Sequence, residues 1–141
     1  MELSPRQKRL TLIRWLWLVP TAILVWYAML SLGLALDSLA MKFCPANQQL
    51  SGFCIASWFP SVQRSIVVGC AGLSGFAIVL ASALVAPAYR VRAAMVMYAV
   101  GALVALNMAM QTSAHAEFVA ALIGGLLATL VAARLPQSAE L

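Results

Sequence analysis

Four long stretches of apolar residues, none of which contains a charged side chain, determine what this chain can fold into. They cover residues 15–36, 66–88, 93–113 and 118–133. A helix rises about 1.5 Å per residue, so about 20 apolar residues cross the hydrocarbon core, where every backbone polar group must be bonded within the helix. The sequence therefore predicts an all-α membrane protein, a four-transmembrane-helix bundle that forms one domain over residues 1–141.

The fourth stretch is only 16 residues long. It becomes long enough when the turn that starts at His115 and the aliphatic stem of Arg134 are added, with the guanidinium group reaching the headgroups. Composition supports the membrane assignment, because 64% of the residues are apolar and only 9% are charged. A soluble domain carries about a quarter charged residues, and a disordered chain cannot keep so much apolar surface hydrated.

The basic residues predict the orientation of the chain, because loops rich in Lys and Arg stay on the cytoplasmic side of a membrane. Two basic residues, Lys42 and Arg64, fall between the first two stretches. The other seven all fall on the opposite side: Arg6, Lys8, Arg9, Arg14, Arg90, Arg92 and Arg134. We therefore expect both termini in the cytoplasm of a cell with a bacterial-type cytoplasmic membrane, and residues 37–65 as an extracytoplasmic loop.

A cleaved signal peptide is the alternative interpretation of the first stretch, with residues 38–40 as a small-residue processing site. The apolar core of a signal peptide usually has about 7 to 15 residues. The first stretch has 22. Its length favours a helix that is retained in the protein.

The loop contains two cysteines, Cys44 and Cys54. Cysteine pairs persist as disulfides on the oxidising side of the membrane, and a ring of this size contributes about 2 to 3 kcal/mol. The alternative is thiol-disulfide exchange, which generally uses closely spaced pairs such as Cys-x-x-Cys. Nine residues separate this pair, so we favour a structural disulfide, and we interpret Cys70 in the second stretch as a packing residue.

The loop also carries an aromatic pair, Trp58 and Phe59, followed by Pro60. One interpretation places this segment in the outer headgroup region, with both aromatic rings at the acyl boundary. The other makes the two rings the contact with a partner protein or a lipid, since adjacent aromatic residues are typical of binding interfaces. The sequence leaves both interpretations open.

Small residues recur at four-residue spacing in the last two stretches, and in lipid such residues let helix backbones approach closely. The third stretch carries Gly101, Ala105 and Ala109, and the fourth carries Ala120, Gly124 and Ala128. Because a short linker forces the two stretches to lie antiparallel, the sequence predicts a tight hairpin between them. The second stretch has small residues on more than one face, which favours a homo-oligomer or a larger membrane partner.

None of the four stretches contains an ionisable residue, which disfavours proton-coupled transport through a membrane carboxylate. Asn107 and Gln111 are the strongest polar pair, and they share one face of the third stretch. One interpretation has them bonded to each other or to another helix. The other has them form, with His115 and Glu117, a polar site in the outer leaflet for a lipid headgroup or a small solute.

We expect no metal or other cofactor. The chain has one histidine, and its two Met-x-Met pairs cannot chelate an ion from one helix, because residues two apart point in different directions. We also find no catalytic constellation, and the basic N-terminus serves topology rather than nucleic-acid binding.

The predicted function is therefore non-catalytic: an accessory, assembly or partner-binding subunit in the cytoplasmic membrane, in contact with the bilayer and with another membrane protein or a second copy. The alternatives are a small carrier or channel for a lipid-like or neutral solute, and a membrane thiol oxidoreductase based on Cys44 and Cys54.

Overall fold

A computed structural model describes residues 16–86 and 90–135 of the chain. It contains four long helices: α1 (Leu18–Lys42), α2 (Phe59–Val85), α3 (Arg90–Thr112) and α4 (His115–Arg134). Each is long and apolar enough to cross a membrane. The protein is thus a multi-pass, all-α membrane protein, which confirms the predicted fold class at that level.

The first two helices are longer than the sequence predicts, and the loop between them is shorter. α1 continues through Asp37 to Lys42, and α2 already begins at Phe59. Charged residues end an apolar stretch but do not end a helix, because outside the hydrocarbon they are compatible with helical backbone. Pro60 lies in the first turn of α2, where its missing N–H is not needed. The connection between the two α-helices is therefore residues 43–58 rather than 37–65.

The last two helices lie close to their predicted positions. α3 covers Arg90–Thr112, and α4 covers His115–Arg134, including the turn at His115 and the stem of Arg134 that complete its span. Only two residues link them, and the first, Ser113, adopts a left-handed φ of 58°. Such a tight turn forces α3 and α4 to run antiparallel.

The helices do not pack as four equal members of a bundle. α2 is central and contacts each of the other three, with its most extensive interface on α4. α3 packs against both α2 and α4, whereas α1, within the described part of the chain, has an extensive interface with α2 alone. The result is a three-helix core of α2, α3 and α4, with α1 attached to the free side of α2.

The interface between α2 and α4 brings the two backbones into close contact. A Cβ atom at Gly72 would lie 3.3 Å from the carbonyl oxygen of Ala120. A Cβ at Gly75 would overlap the carbonyl oxygen of Ala121, and one at Gly124 would overlap the carbonyl oxygen of Gly72. Gly72 lies beside Ala120, Phe76 beside Gly124 and Val79 beside Gly125, so the contacts advance in the same direction along both helices and α2 and α4 run parallel.

This arrangement corrects the prediction that Gly101 belongs to a tight hairpin between the third and fourth helices. Gly101 is exposed, and no described atom outside its own helix lies within 4 Å of a Cβ built there. We call each series of small residues at four-residue spacing a ladder. Each four-residue step advances about 40° beyond a full helical turn, so the ladder of α3 turns away from the face that contacts α4. Ala105 is half-buried and Ala109 is buried.

The corresponding ladder of α4 remains in contact along its length. Ala120 and Gly124 lie against α2, and Ala128 joins the buried core of the three helices. The ladder of α4 also turns around its helix, but it stays in contact because α4 has a neighbour on two sides, α2 and α3. The core consists of Val79, Ala83, Ala94, Ala128 and Ala132, with Phe76, Leu80 and Tyr98 packed against it.

Candidate functional site

Residues 43–58 form a compact structure at one end of the helices, which we call the cap. It contains a short 3-10 helix (Ala46–Gln48) and a hairpin of two strands, β1 (Gln49–Leu50) and β2 (Phe53–Cys54). Both residues of the connecting turn have positive φ, 50° at Ser51 and 83° at Gly52, as a type I′ turn requires. Glycine adopts this conformation without a steric cost.

A disulfide joins the cap to itself and forms its interior. The sulfur atoms of Cys44 and Cys54 lie 2.05 Å apart, and their Cα atoms 5.9 Å apart. Both cysteines are buried together with Ala56 and Phe59. Gln49 Nε2 donates a hydrogen bond to the carbonyl oxygen of Cys44 over 2.9 Å. The disulfide is therefore shielded by packing, as expected for a structural bond.

The opposite face of the cap is apolar and exposed. Leu50 and Phe53 are paired in the hairpin, so their side chains lie on one side of it, and Ile55 follows two residues later on the same side. Phe53 is 72% exposed and Ile55 62%, whereas Cys54 between them is buried. We call Leu50, Phe53 and Ile55 the apolar cap face. The cap itself contains no charged residue.

The two aromatic residues that the sequence predicts as one contact site differ in their exposure. Trp58 is 39% exposed, but Phe59 is only 7% exposed because it packs against the disulfide. Their rings make an edge-to-face contact with centroids 5.8 Å apart. Phe59 therefore supports the cap from inside, and only Trp58 offers surface to a partner or to lipid. Phe53 and Ile55 were not predicted as contact residues, although their alternation with Cys54 and Ala56 indicates a strand with one buried face.

The levels of the helices relative to one another follow from their closest contacts. Gly72 of α2 lies beside Ala120 of α4. Ile66 is six residues closer to the cap on α2 and His115 is five residues closer on α4, so these two residues lie at about the same level. On the other side, a Cβ built at Gly33 of α1 would lie 3.6 Å from the sulfur of Cys70. Four residues closer to the cap on each helix, Asp37 is therefore level with Ile66. If the 20 residues of α4 cross the hydrocarbon, which is about 30 Å thick, this level corresponds to its cap-side boundary.

A cavity of about 510 Å³ opens at this level. Its polar lining includes Gln63, Arg64, Thr112, His115 and Glu117. The structure thus brings two of the predicted polar residues, His115 and Glu117, together with Arg64 of α2. Sequence spacing could not show this meeting, because it depends on how α2 and α4 pack.

Asn107 and Gln111 do not line that cavity. Both are exposed on α3, and Gln111 Nε2 donates a hydrogen bond to Asn107 Oδ1 over 2.6 Å. Their polar groups therefore satisfy each other along one helix face, as the first of the two interpretations expects. Their participation in a solute site stays a prediction.

A second cavity of about 340 Å³ lies between α1 and α2, and we call it the groove. Trp26, Leu30, Asp37, Gln63, Cys70 and Ser74 are among the residues that line it. The Oδ1 atom of Asp37 is buried and has no hydrogen-bond partner within residues 16–86 and 90–135. Asp37 was predicted to lie in the loop, but it belongs to α1 and faces the second helix across the groove.

Among the described residues, no three His, Cys, Asp or Glu side chains form a group that could hold a metal ion. Comparison with protein-family models, with curated proteins and with solved structures finds no match to this chain.

Proposed function

We propose that this protein is a non-catalytic subunit of a bacterial-type cytoplasmic membrane, where it acts as an accessory, assembly or partner-binding protein. In this proposal both termini are cytoplasmic and the cap is extracytoplasmic. The observation that carries it is the apolar cap face. Phe53 and Ile55 are mostly exposed on a cap that is internally packed and held by a disulfide. Rigid apolar surfaces of this kind are typical of protein interfaces.

The height of the cap favours a protein partner over lipid. α1 continues five residues beyond Asp37, and α2 has seven residues before Ile66. These segments raise the cap about 8 to 10 Å above the hydrocarbon boundary. The headgroup layer is only about 5 to 7 Å thick on each side. The apolar cap face is therefore at or above the outer edge of the headgroups, where acyl chains do not cover it.

The partner is either another membrane protein or a second copy of this chain. Either one would lie in the same membrane and could present a surface at the height of the cap. The lack of charge in the cap predicts an interface centre of apolar contacts, with Lys42, the last residue of α1, at its edge.

The thiol oxidoreductase alternative is less well supported. Exchange requires a thiolate to reach a sulfur atom of the bond. Cys44 is 6% exposed and Cys54 9%, and Phe59 packs against the pair. The burial of both cysteines instead favours the structural role.

Site-specific crosslinking in native membranes tests the proposal. With a photoreactive phenylalanine at Leu50, we expect one stoichiometric crosslinked protein, either another chain or a dimer of this one. The same probe at Asn47, an exposed polar residue of the cap, is the matched control and is expected to give little product. Crosslinks to lipid alone from Leu50 would contradict a protein partner.

The double change Phe53→Ser and Ile55→Ser supplies the second half of the test. A central apolar residue of an interface contributes about 2 kcal/mol or more, so we expect about a thirtyfold loss of association if one of the two is central and about a thousandfold loss if both are. Asn47→Ser is expected to have no effect. Undiminished crosslinking in the double variant would mean that the apolar cap face is not the contact.

A further inference from the structure

The groove between α1 and α2 contains a carboxylate oxygen that the described part of the chain leaves unsatisfied. Asp37 Oδ1 is buried without a hydrogen-bond donor. Burying such an oxygen costs free energy unless a donor or a cation meets it. Among the described residues, those that line the groove include no Lys, Arg or His. The position therefore suits a ligand that brings its own positive charge.

The shape of the groove indicates what the rest of that ligand is. From Asp37 the groove extends along α1 to Trp26, eleven residues away, or about 16 Å. Most residues along this length are apolar, including Leu30, Leu34 and Ile66. Asp37 lies at the hydrocarbon boundary and Trp26 nearer the middle of the membrane. A ligand with a cationic head at Asp37 and a hydrocarbon chain along the groove has the orientation of a membrane phospholipid.

The headgroup chemistry can be specified further. An unsatisfied carboxylate needs an N–H donor, which a primary ammonium supplies and a quaternary ammonium does not. The phosphate of the same headgroup needs a cation, and Arg64 lines the adjacent cavity. Gln63 and Val67 line both cavities, so the two charged residues flank one continuous surface.

We propose that the groove is a binding site for an ethanolamine phospholipid. One acyl chain occupies the groove, the ammonium group contacts Asp37, and the phosphate lies toward Arg64. This site is separate from the apolar cap face, so a partner protein can bind the cap whether or not the lipid is present.

Native mass spectrometry of the delipidated protein in a mild detergent tests the proposal. The probes are phosphatidylethanolamine, phosphatidylcholine and phosphatidylglycerol with identical acyl chains. We expect phosphatidylethanolamine to bind at least about tenfold more tightly than the other two, because only its primary ammonium donates hydrogen bonds to the carboxylate of Asp37. Equal binding of all three lipids to the native protein, or a preference for phosphatidylglycerol, would overturn the proposal.

The variant Asp37→Asn keeps the shape of the side chain and removes the charge. We expect its affinities for phosphatidylethanolamine and phosphatidylcholine to agree within about twofold. Glu117→Gln is the matched control, because Glu117 lies at the same boundary but lines only the other cavity. It is expected to keep the preference. An unchanged preference in Asp37→Asn would show that Asp37 does not recognise the headgroup and would overturn the proposal.

Discussion

Replacing Gly124 by alanine is expected to destabilise the folded protein by about 3 kcal/mol, which is the upper part of the range for overpacked interiors. The added Cβ would overlap the carbonyl oxygen of Gly72 on α2. That oxygen belongs to the backbone, so it cannot move aside as a flexible side chain would. To relieve the overlap, α2 and α4 must separate along the interface that holds the three-helix core. The free energy of unfolding in bicelles measures the effect.

Gly101→Ala is the matched control for this experiment. It makes the same change in a neighbouring helix, but nothing described outside its own helix lies within 4 Å of the new Cβ. We expect no loss of stability, and a gain of up to about 1 kcal/mol, because alanine has the higher helix propensity. Equal destabilisation by the two substitutions would show that α4 does not pack on α2 as described.

Removing the disulfide by Cys44→Ser and Cys54→Ser is expected to unfold the cap while the helices stay folded. The bond closes a short ring, and its loss costs about 2 to 3 kcal/mol in the loop-entropy estimate. A hairpin with strands of two residues has little stability of its own. We expect the amide hydrogens around Leu50 and Phe53 to exchange about 30-fold to 100-fold faster, as measured by hydrogen exchange with mass spectrometry.

Cys70→Ala provides the control for the loss of a sulfur atom. Cys70 lies in α2 beside Gly33, away from the cap. Its replacement is expected to leave exchange in the cap unchanged. If the cap of the double serine variant remained as protected as that of the native protein, the packing around Phe59 rather than the disulfide would hold it.

The helices were predictable from the sequence because long uncharged apolar stretches have one stable arrangement in a bilayer. Their ends were less predictable. Asp37 and Arg64 mark the edge of the hydrocarbon, but helical backbone continues past both of them to the cap. Hydropathy measures where a chain leaves the lipid, whereas hydrogen bonding and turn chemistry decide where a helix ends.

Which small residues meet could not be predicted from spacing. The ladder that includes Gly101 satisfies the same pattern as the ladder that includes Gly124, yet only the second lies in a close interface. A period of four residues does not match the 3.6 residues of a helical turn, so the neighbours of each helix decide which members stay in contact. Spacing also could not predict that His115 and Arg64 line one cavity, because they lie far apart in the sequence and meet only through the packing of α2 and α4.

Labelling with a membrane-impermeant maleimide tests the central claim most directly, namely that the cap is outside and the termini are inside. In a Cys70→Ala background with the native disulfide intact, one variant carries Asn47→Cys in the cap and the other Ser138→Cys near the C-terminus. We expect intact spheroplasts to label the cap cysteine fully, and the C-terminal cysteine only after lysis. The reverse pattern would contradict the orientation and place the apolar cap face in the cytoplasm.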